Sequence, residues 1–358
     1  MAGRLGRARS GGGAAGGAYP AAAERARVEA EIRRAAGDPR VPDFFVVGHA
    51  KSGTTALHQM LKQHPQIFMP DFKEPRYFAT DMPSTFRARP SGRLRKSYED
   101  YLALFEDAAP GQRVGESSVD YIWSQTAPEL LALARPDARI VTIFREPASL
   151  VRSIHLELLQ LGLENHKSLR KALALEPERK AGRGLPRRGV ASFPHVLVYT
   201  ERVRYVQQLR RYRELFGEER VLVVIYDDYR RENEATLRRL QRFLEVEHAG
   251  PVVTREANPT VRLRSPRMRV LARRAASSPS PGARAVRKLA TTLAPPGVSR
   301  ASAIALRDRV LYARPRPPDE RVTAQLRERF RPEVEAFGEY LGRDLVALWG
   351  YDRPDQAQ

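Results

Sequence analysis

A lysine, a serine, a glycine and two threonines stand together at Lys51-Ser52-Gly53-Thr54-Thr55, just after Gly48-His49-Ala50 and the apolar run Phe44-Phe45-Val46-Val47. These residue types suit an oxyanion: an ammonium, several hydroxyls, and backbone N–H groups turned outward where a strand passes through a glycine turn into a helix. A loop that grips nucleoside triphosphates reads G-x-x-x-x-G-K-[ST]. Aligning Gly48 and Gly53 with its glycines puts Thr54 at the lysine position and Thr55 at the hydroxyl position, while Lys51 comes three residues earlier. The stretch therefore predicts a phosphate site whose lysine belongs to the turn itself. Reach to a β,γ-phosphate is not built in, and the bound nucleotide need carry no γ-phosphate.

The elements that must position this loop follow from the pattern around it. A strand over 43–48 feeds the turn, and Thr54 to Gln63 reads as the helix that receives it. A short extended piece at Ile67-Phe68-Met69 leads to a loop around Lys73-Glu74-Pro75. Helices near 97–106 and 126–134 bracket a short strand, Arg113 to Glu116. The β-branched run Ala138 to Phe144, without interior Gly or Pro, suits a strand covered on both faces of a parallel sheet. Arg145-Glu146-Pro147 ends it and opens a helix from Ala148 to Leu161. Lys180 to Gly189 reads as an exposed loop, Pro194 to Phe216 as one long helix, Arg220 to Ile225 as a strand closed by Tyr226-Asp227-Asp228, and Glu232 to Leu244 as a helix. Alternation of this kind predicts an α/β fold: a P-loop-like central parallel sheet flanked by helices on both faces. Ligands in such folds collect beyond the carboxyl ends of the strands. Gly48 to Thr55, Glu116-Ser117-Ser118, Arg145 and Asp227 all fall at strand ends, so one cleft is expected to gather them.

Residues 1–40 read as an extension, disordered at its Gly/Ala/Arg-rich head and helical over Ala21 to Ala36. Residues 41–358 read as a single domain. Within it 258–318 is an Arg/Pro-rich segment without assigned structure. A helix over 319–345 packs the C-terminus back through Phe330, Val334, Phe337 and Leu341. The formal charge is +20, which favours phosphates, sulfates or anionic surfaces. Of 62 basic residues 54 are arginines beside abundant alanine, a pattern that GC-rich coding explains as well as function does. The absence of cysteine excludes disulfides, thiolate metal sites and cysteine nucleophiles. Neither a signal peptide nor an apolar run of spanning length is present, which predicts a soluble, cytoplasmic protein.

Gly48-His-Ala-Lys-Ser-Gly-Thr-Thr-Ala-Leu57 resembles the 5′-phosphosulfate-binding loop of sulfotransferases that use 3′-phosphoadenosine 5′-phosphosulfate (PAPS), a family in which the lysine is displaced in this way. Ile143-Phe-Arg-Glu-Pro-Ala-Ser-Leu-Val-Arg-Ser153 is similar to its 3′-phosphate motif, a strand-end arginine followed eight residues later by a serine. Lys73-Glu-Pro-Arg-Tyr-Phe78 resembles the Lys-Glu-x-x-x-Phe segment of the heparan-sulfate-type and related bacterial branch. The resemblance spans roughly Asp43 to Leu244. It departs at Glu116-Ser117-Ser118, where the heparan-sulfate type reads Glu-Lys-[Thr/Ser]-Pro.

What the resemblance implies is a PAPS-dependent transferase without a metal. Ser52, Gly53, Thr54 and Thr55 would hold the 5′-phosphate, Lys51 would offset the charge that develops as the S–O bond breaks, and Arg145 with Ser153 would grip the 3′-phosphate. Glu74 would be the general base that takes a proton from a hydroxyl or amine of a carbohydrate, glycolipid or small-molecule acceptor. Another branch of the family uses histidine as base, which keeps His49, His155 and His195 open. Arg262, Arg264 and Arg267 would belong to a late basic loop over the nucleotide. Two other readings compete. A basic nucleic-acid-binding protein explains the charge but not the loop, and a nucleotide kinase would need a lysine after Gly53 and a partner aspartate for Mg²⁺.

Overall fold

Side chains along an extended strand point alternately to opposite faces, and the strands here are apolar on both. In β1 (Phe44–Val46), Phe45 joins one core while Phe44 and Val46 join another. In β4 (Arg139–Phe144), Ile140 and Phe144 face the first core, Val141 and Ile143 the second. In β5 (Val221–Ile225) the odd positions face the first, Leu222 and Val224 the second. With β2 (Ile67–Phe68) and β3 (Arg113–Ser117) these form a five-stranded, all-parallel sheet in the order β2-β3-β1-β4-β5. The computed structural model describes residues 21–82, 97–186, 194–248 and 317–352, and the backbone of β6 (Arg262–Leu263) and β7 (Tyr312–Ala313), an antiparallel pair.

Helices cover both faces, as expected. The larger core receives α1 (Ala21–Arg34), α4 (Ala127–Ala134), α5 (Pro147–Leu161), α8 (Tyr205–Phe216) and α11 (Glu320–Leu341), after α3 (Tyr98–Leu102), α6 (Leu169–Ala174) and α7 (Glu176–Lys180) are counted in chain order. The smaller core receives α2 (Thr54–Leu61) through Leu57, Met60 and Leu61, α9 (Tyr226–Arg231) through Tyr229, and α10 (Asn233–Phe243) through Leu237 and Leu240. On α11, Phe330, Val334 and Phe337 are buried, with Leu341 packed against them, and α12 (Leu345–Trp349) closes the described chain. The head of the chain, most of 258–318 and the segments 83–96 and 187–193 lie outside the described residues.

The single helix expected from Pro194 to Phe216 is not formed. Two 3₁₀ turns, Pro194–Leu197 and Tyr199–Arg202, precede α8. Tertiary partners capture the backbone that a helix would use: Thr200 N donates to Glu176 Oε1 at 3.0 Å, and Arg179 donates to the carbonyl of Leu197 at 3.3 Å. Part of the expected exposed loop at 180–189 is likewise corrected, because Lys180 is the last residue of α7.

Candidate active site

β1 lies between β3 and β4, so its carboxyl end opens into a crevice flanked by the carboxyl ends of both. The chain leaves β1 pressed against β4: a Cβ on Gly48 would stand 2.9 Å from Ile143 Cβ and 3.0 Å from Ile143 backbone atoms. Only glycine fits that approach. The turn then places Lys51 at φ 65° and Gly53 at φ 86° before α2 begins at Thr54. A left-handed lysine is strained, and such strain persists where the surroundings fix it. Here Arg145 Nη1 donates to the Lys51 carbonyl at 2.7 Å, while the Arg145 guanidinium stacks 4.8 Å over the Tyr226 ring. Tyr226 also fills the space next to Gly53, 3.0 Å from where a Cβ would stand. Burial lowers the Lys51 ammonium; Glu157 opposes this and Arg145 adds to it. The Ser52 hydroxyl is buried without a hydrogen-bond partner.

The Lys73–Arg76 loop docks on the end of β3. Glu74 N donates to the Ser117 carbonyl at 3.1 Å and Arg76 N to Ser118 Oγ at 3.0 Å. Glu74 and Arg76 both have left-handed backbones, φ 67° and 54°. Lys73 Nζ reaches Glu74 Oε1 at 3.0 Å and Thr54 Oγ1 at 3.4 Å, tying this loop to the start of α2. Arg76 pairs with Glu74 on one side and with Asp120, at 2.9 Å, on the other. Burial acts to raise the Glu74 carboxyl, but the charges of Arg76 and Lys73 outweigh it and hold the group at about 2. Glu74 is thus ionised, as a base must be, yet clamped by two cations that suppress its basicity.

Lys51, Thr54, Glu74 and Arg145 therefore meet in one crevice. Ser153 lies on α5, buried, two turns beyond the strand end that carries Arg145. Asp227, expected in the same cleft, accepts instead from Trp349 Nε1 at 3.0 Å. The three histidines fall elsewhere in role. His49 is sealed in the core, 2.9 Å from Gln208 Oε1, and burial holds it down to about 3. His155 bonds to the His166 carbonyl, and His195 packs on Trp123. No sequence motif singles out Glu157, Asp120 or Arg202, and Arg76 stands in the Lys73–Phe78 segment without a role of its own. Glu157 follows Ser153 by four residues on α5, a spacing that marks one helix face and would have flagged it. Burial raises its carboxyl, with Lys51 opposing.

A profile of the sulfotransferase family matches residues 42–250, more than half of the chain, and the chain belongs to that family. It is 25% identical over 151 residues to mouse carbohydrate sulfotransferase 15, covering 32% of this chain and 27% of that protein. It is 30% identical over 115 residues to the mouse bifunctional heparan sulfate N-deacetylase/N-sulfotransferase 4, covering 30% and 12%. The chain thus matches about a quarter or less of the length of these relatives. A sulfotransferase structure from Alicyclobacillus acidocaldarius superposes with a TM-score of 0.59 at 24% identity, over 87% of this chain and 99% of that one, and shares its fold. Among the described residues no helix is long and apolar enough to cross a membrane.

Proposed function

We propose that this chain transfers a sulfuryl group from PAPS to a hydroxyl or amine of a carbohydrate, glycolipid or small-molecule acceptor. The observation that carries the reading is the Lys51 turn: a strained lysine braced by Arg145, beside a buried, unpartnered Ser52 hydroxyl, at the head of a helix. These residues fit a phosphosulfate. Ser52, Gly53, Thr54 and Thr55 hold its 5′-phosphate through hydroxyls and the first-turn amides of α2, which have no intrahelical acceptor. Arg145 and Ser153 hold the 3′-phosphate.

When bound, PAPS supplies the sulfuryl group. Transfer forms an S–O or S–N bond to the acceptor and breaks the S–O bond to the phosphate. Lys51 stabilises the charge left on that phosphate oxygen. The acceptor proton passes to Glu74, which must first be released from Arg76 or Lys73 to regain basicity.

Binding to the native state raises stability by RT ln(1 + [L]/Kd), about 2.7 kcal/mol at a hundredfold excess over Kd. The nucleotide product of that transfer, 3′,5′-adenosine bisphosphate, is expected to raise the melting temperature of the protein. ATP with Mg²⁺ is expected to do so far less, and Lys51→Ala and Arg145→Ala should shrink the response. Stabilisation by ATP-Mg²⁺ alone would overturn the reading. Glu74→Gln should keep the bisphosphate response and lose about a hundred- to ten-thousand-fold in turnover. Unchanged turnover removes Glu74 as the base.

A further inference from the structure

Beyond Glu74 a chain of contacts leads out of the cleft. Arg76 joins Glu74 to Asp120, and Trp123 Nε1 donates to Asp120 Oδ1 at 3.2 Å. Trp123 lines a cavity of about 320 Å³, shared with His195, Arg202, Arg211, Asp81 and Glu201. The charges in its wall are unevenly satisfied. Asp81 accepts from Ser124 Oγ at 2.5 Å, Gln125 N at 2.7 Å and Thr126 Oγ1 at 3.0 Å. Glu201 is paired with Lys180 at 2.7 Å and Arg204 at 3.3 Å.

The two guanidiniums have no such partners. Arg202, only 5% exposed, lies 4.0 Å over the Trp123 ring, and its guanidinium donates at a long 3.4 Å to the Val196 carbonyl. Arg211 donates only to neutral oxygens, the Ser124 and Ile122 carbonyls and Gln125 Oε1. Neither forms an ion pair among the described residues, and the Nε of each is buried without a partner. Burial lowers both guanidiniums from their usual value; the charges of Asp120 and Glu157 oppose this at Arg202 and those of Asp81 and Glu129 at Arg211, none of them in ion-pair contact. A buried guanidinium N–H without an acceptor is costly unless something supplies one.

We propose that this cavity, built on Arg202, Arg211 and Trp123, receives an anionic substituent of the acceptor, so that the acceptor is an acidic one: a hydroxyl-bearing molecule that also carries a carboxylate, sulfate or phosphate. The inference rests on the transferase reading and names the class of its second substrate. The Arg76–Asp120–Trp123 chain links the wall of this cavity to Glu74.

The test is calorimetric titration of the protein, saturated with 3′,5′-adenosine bisphosphate, with D-glucuronate and with D-glucose. Glucuronate is expected to bind and glucose not. Arg202→Gln and Arg211→Gln should each weaken glucuronate binding about tenfold, the loss of one charge-assisted contact. Bisphosphate affinity, read at the other end of the cleft, reports that each variant is folded, and the half-buried Arg211 keeps the test alive if Arg202→Gln does not fold. Equal binding of the two sugars, glucuronate binding that survives both substitutions, or no binding of glucuronate each overturns the proposal. If the unaltered protein does not bind the bisphosphate, the donor assignment fails instead, and the same titration without it still decides the subsite.

Discussion

Lys51, Glu74 and Arg76 are three of the four non-glycine residues with left-handed backbone among the described residues, and all three lie in the candidate site. Each such conformation costs on the order of 1–3 kcal/mol, which the packing around it must offset. No pattern of residue types announces it. Residue chemistry behind the site makes a further prediction. Glu116 is fully buried beneath the crevice, accepting from Tyr121 OH at 2.9 Å and Tyr101 OH at 3.2 Å. Burial, opposed by hydrogen bonds including those of Ser118, Tyr121 and Tyr101, pushes its carboxyl up to about 7. The folded state then holds a proton that the unfolded state, titrating near 4.5, has lost. Stability should therefore fall as pH rises from about 4.5 to 7 and level off above, by on the order of 3 kcal/mol in all. Glu116→Gln should flatten this fall in urea titrations at stepped pH, and a slope unchanged by the substitution would refute the assignment. Glu74 acts in another window: held at about 2, it contributes stability that is present above about 4.5 and lost as pH falls toward 2.

At the scale of elements, strands and the helices that follow them were readable because burial on both faces leaves an unbroken apolar run, as in β4 and β5. The stretch before α8 was not. Its helical pattern yields to a buried pair, Arg179 and Glu164, 2.8 Å apart with both side chains fully buried, and to Tyr199 OH, which donates to Glu164 Oε2 at 2.6 Å. Removing one member leaves a buried charge uncompensated, so Arg179→Met is expected to cost about 3–5 kcal/mol. The double variant Arg179→Met, Glu164→Gln should recover much of that in denaturant unfolding; a single-variant cost under about 1 kcal/mol would contradict the arrangement. Gly48 makes a second test. Because Ile143 backbone atoms would stand 3.0 Å from an added Cβ, Gly48→Ala should lower both stability and bisphosphate affinity by forcing β1 and β4 apart just before the turn.

For the whole molecule, the charge of +20 has an uneven origin. The described residues hold 36 basic and 39 acidic side chains, while the remainder hold 26 basic and 3 acidic. Between Gly250 and Arg316 alone there are 15 basic residues against two acidic. The excess of positive charge therefore belongs to these segments and not to the sheet and its helices, and attraction to polyanions is expected to follow it. Replacing the arginines at 267, 269, 273, 274, 284 and 287 with glutamine should lower the salt concentration that elutes the protein from immobilised DNA or heparin, and should flatten the dependence of affinity on salt. Elution that does not move would place the attraction in the described residues instead.

The sequence by itself determined the layered α/β architecture, the strand–turn–helix junction with its displaced Lys51, and the strand-end position of Arg145, because periodicity and such a junction are properties of neighbours along the chain. It also marked Glu74. Only the tertiary structure decided what surrounds them: that Arg145 braces the Lys51 carbonyl, that Lys73 and Arg76 clamp Glu74, and that Asp227 serves Trp349 and not the cleft. The unpaired Arg202 and Arg211 emerge in the same way. Charge pairing and burial depend on which distant residues the sheet order brings together, and no local pattern encodes that.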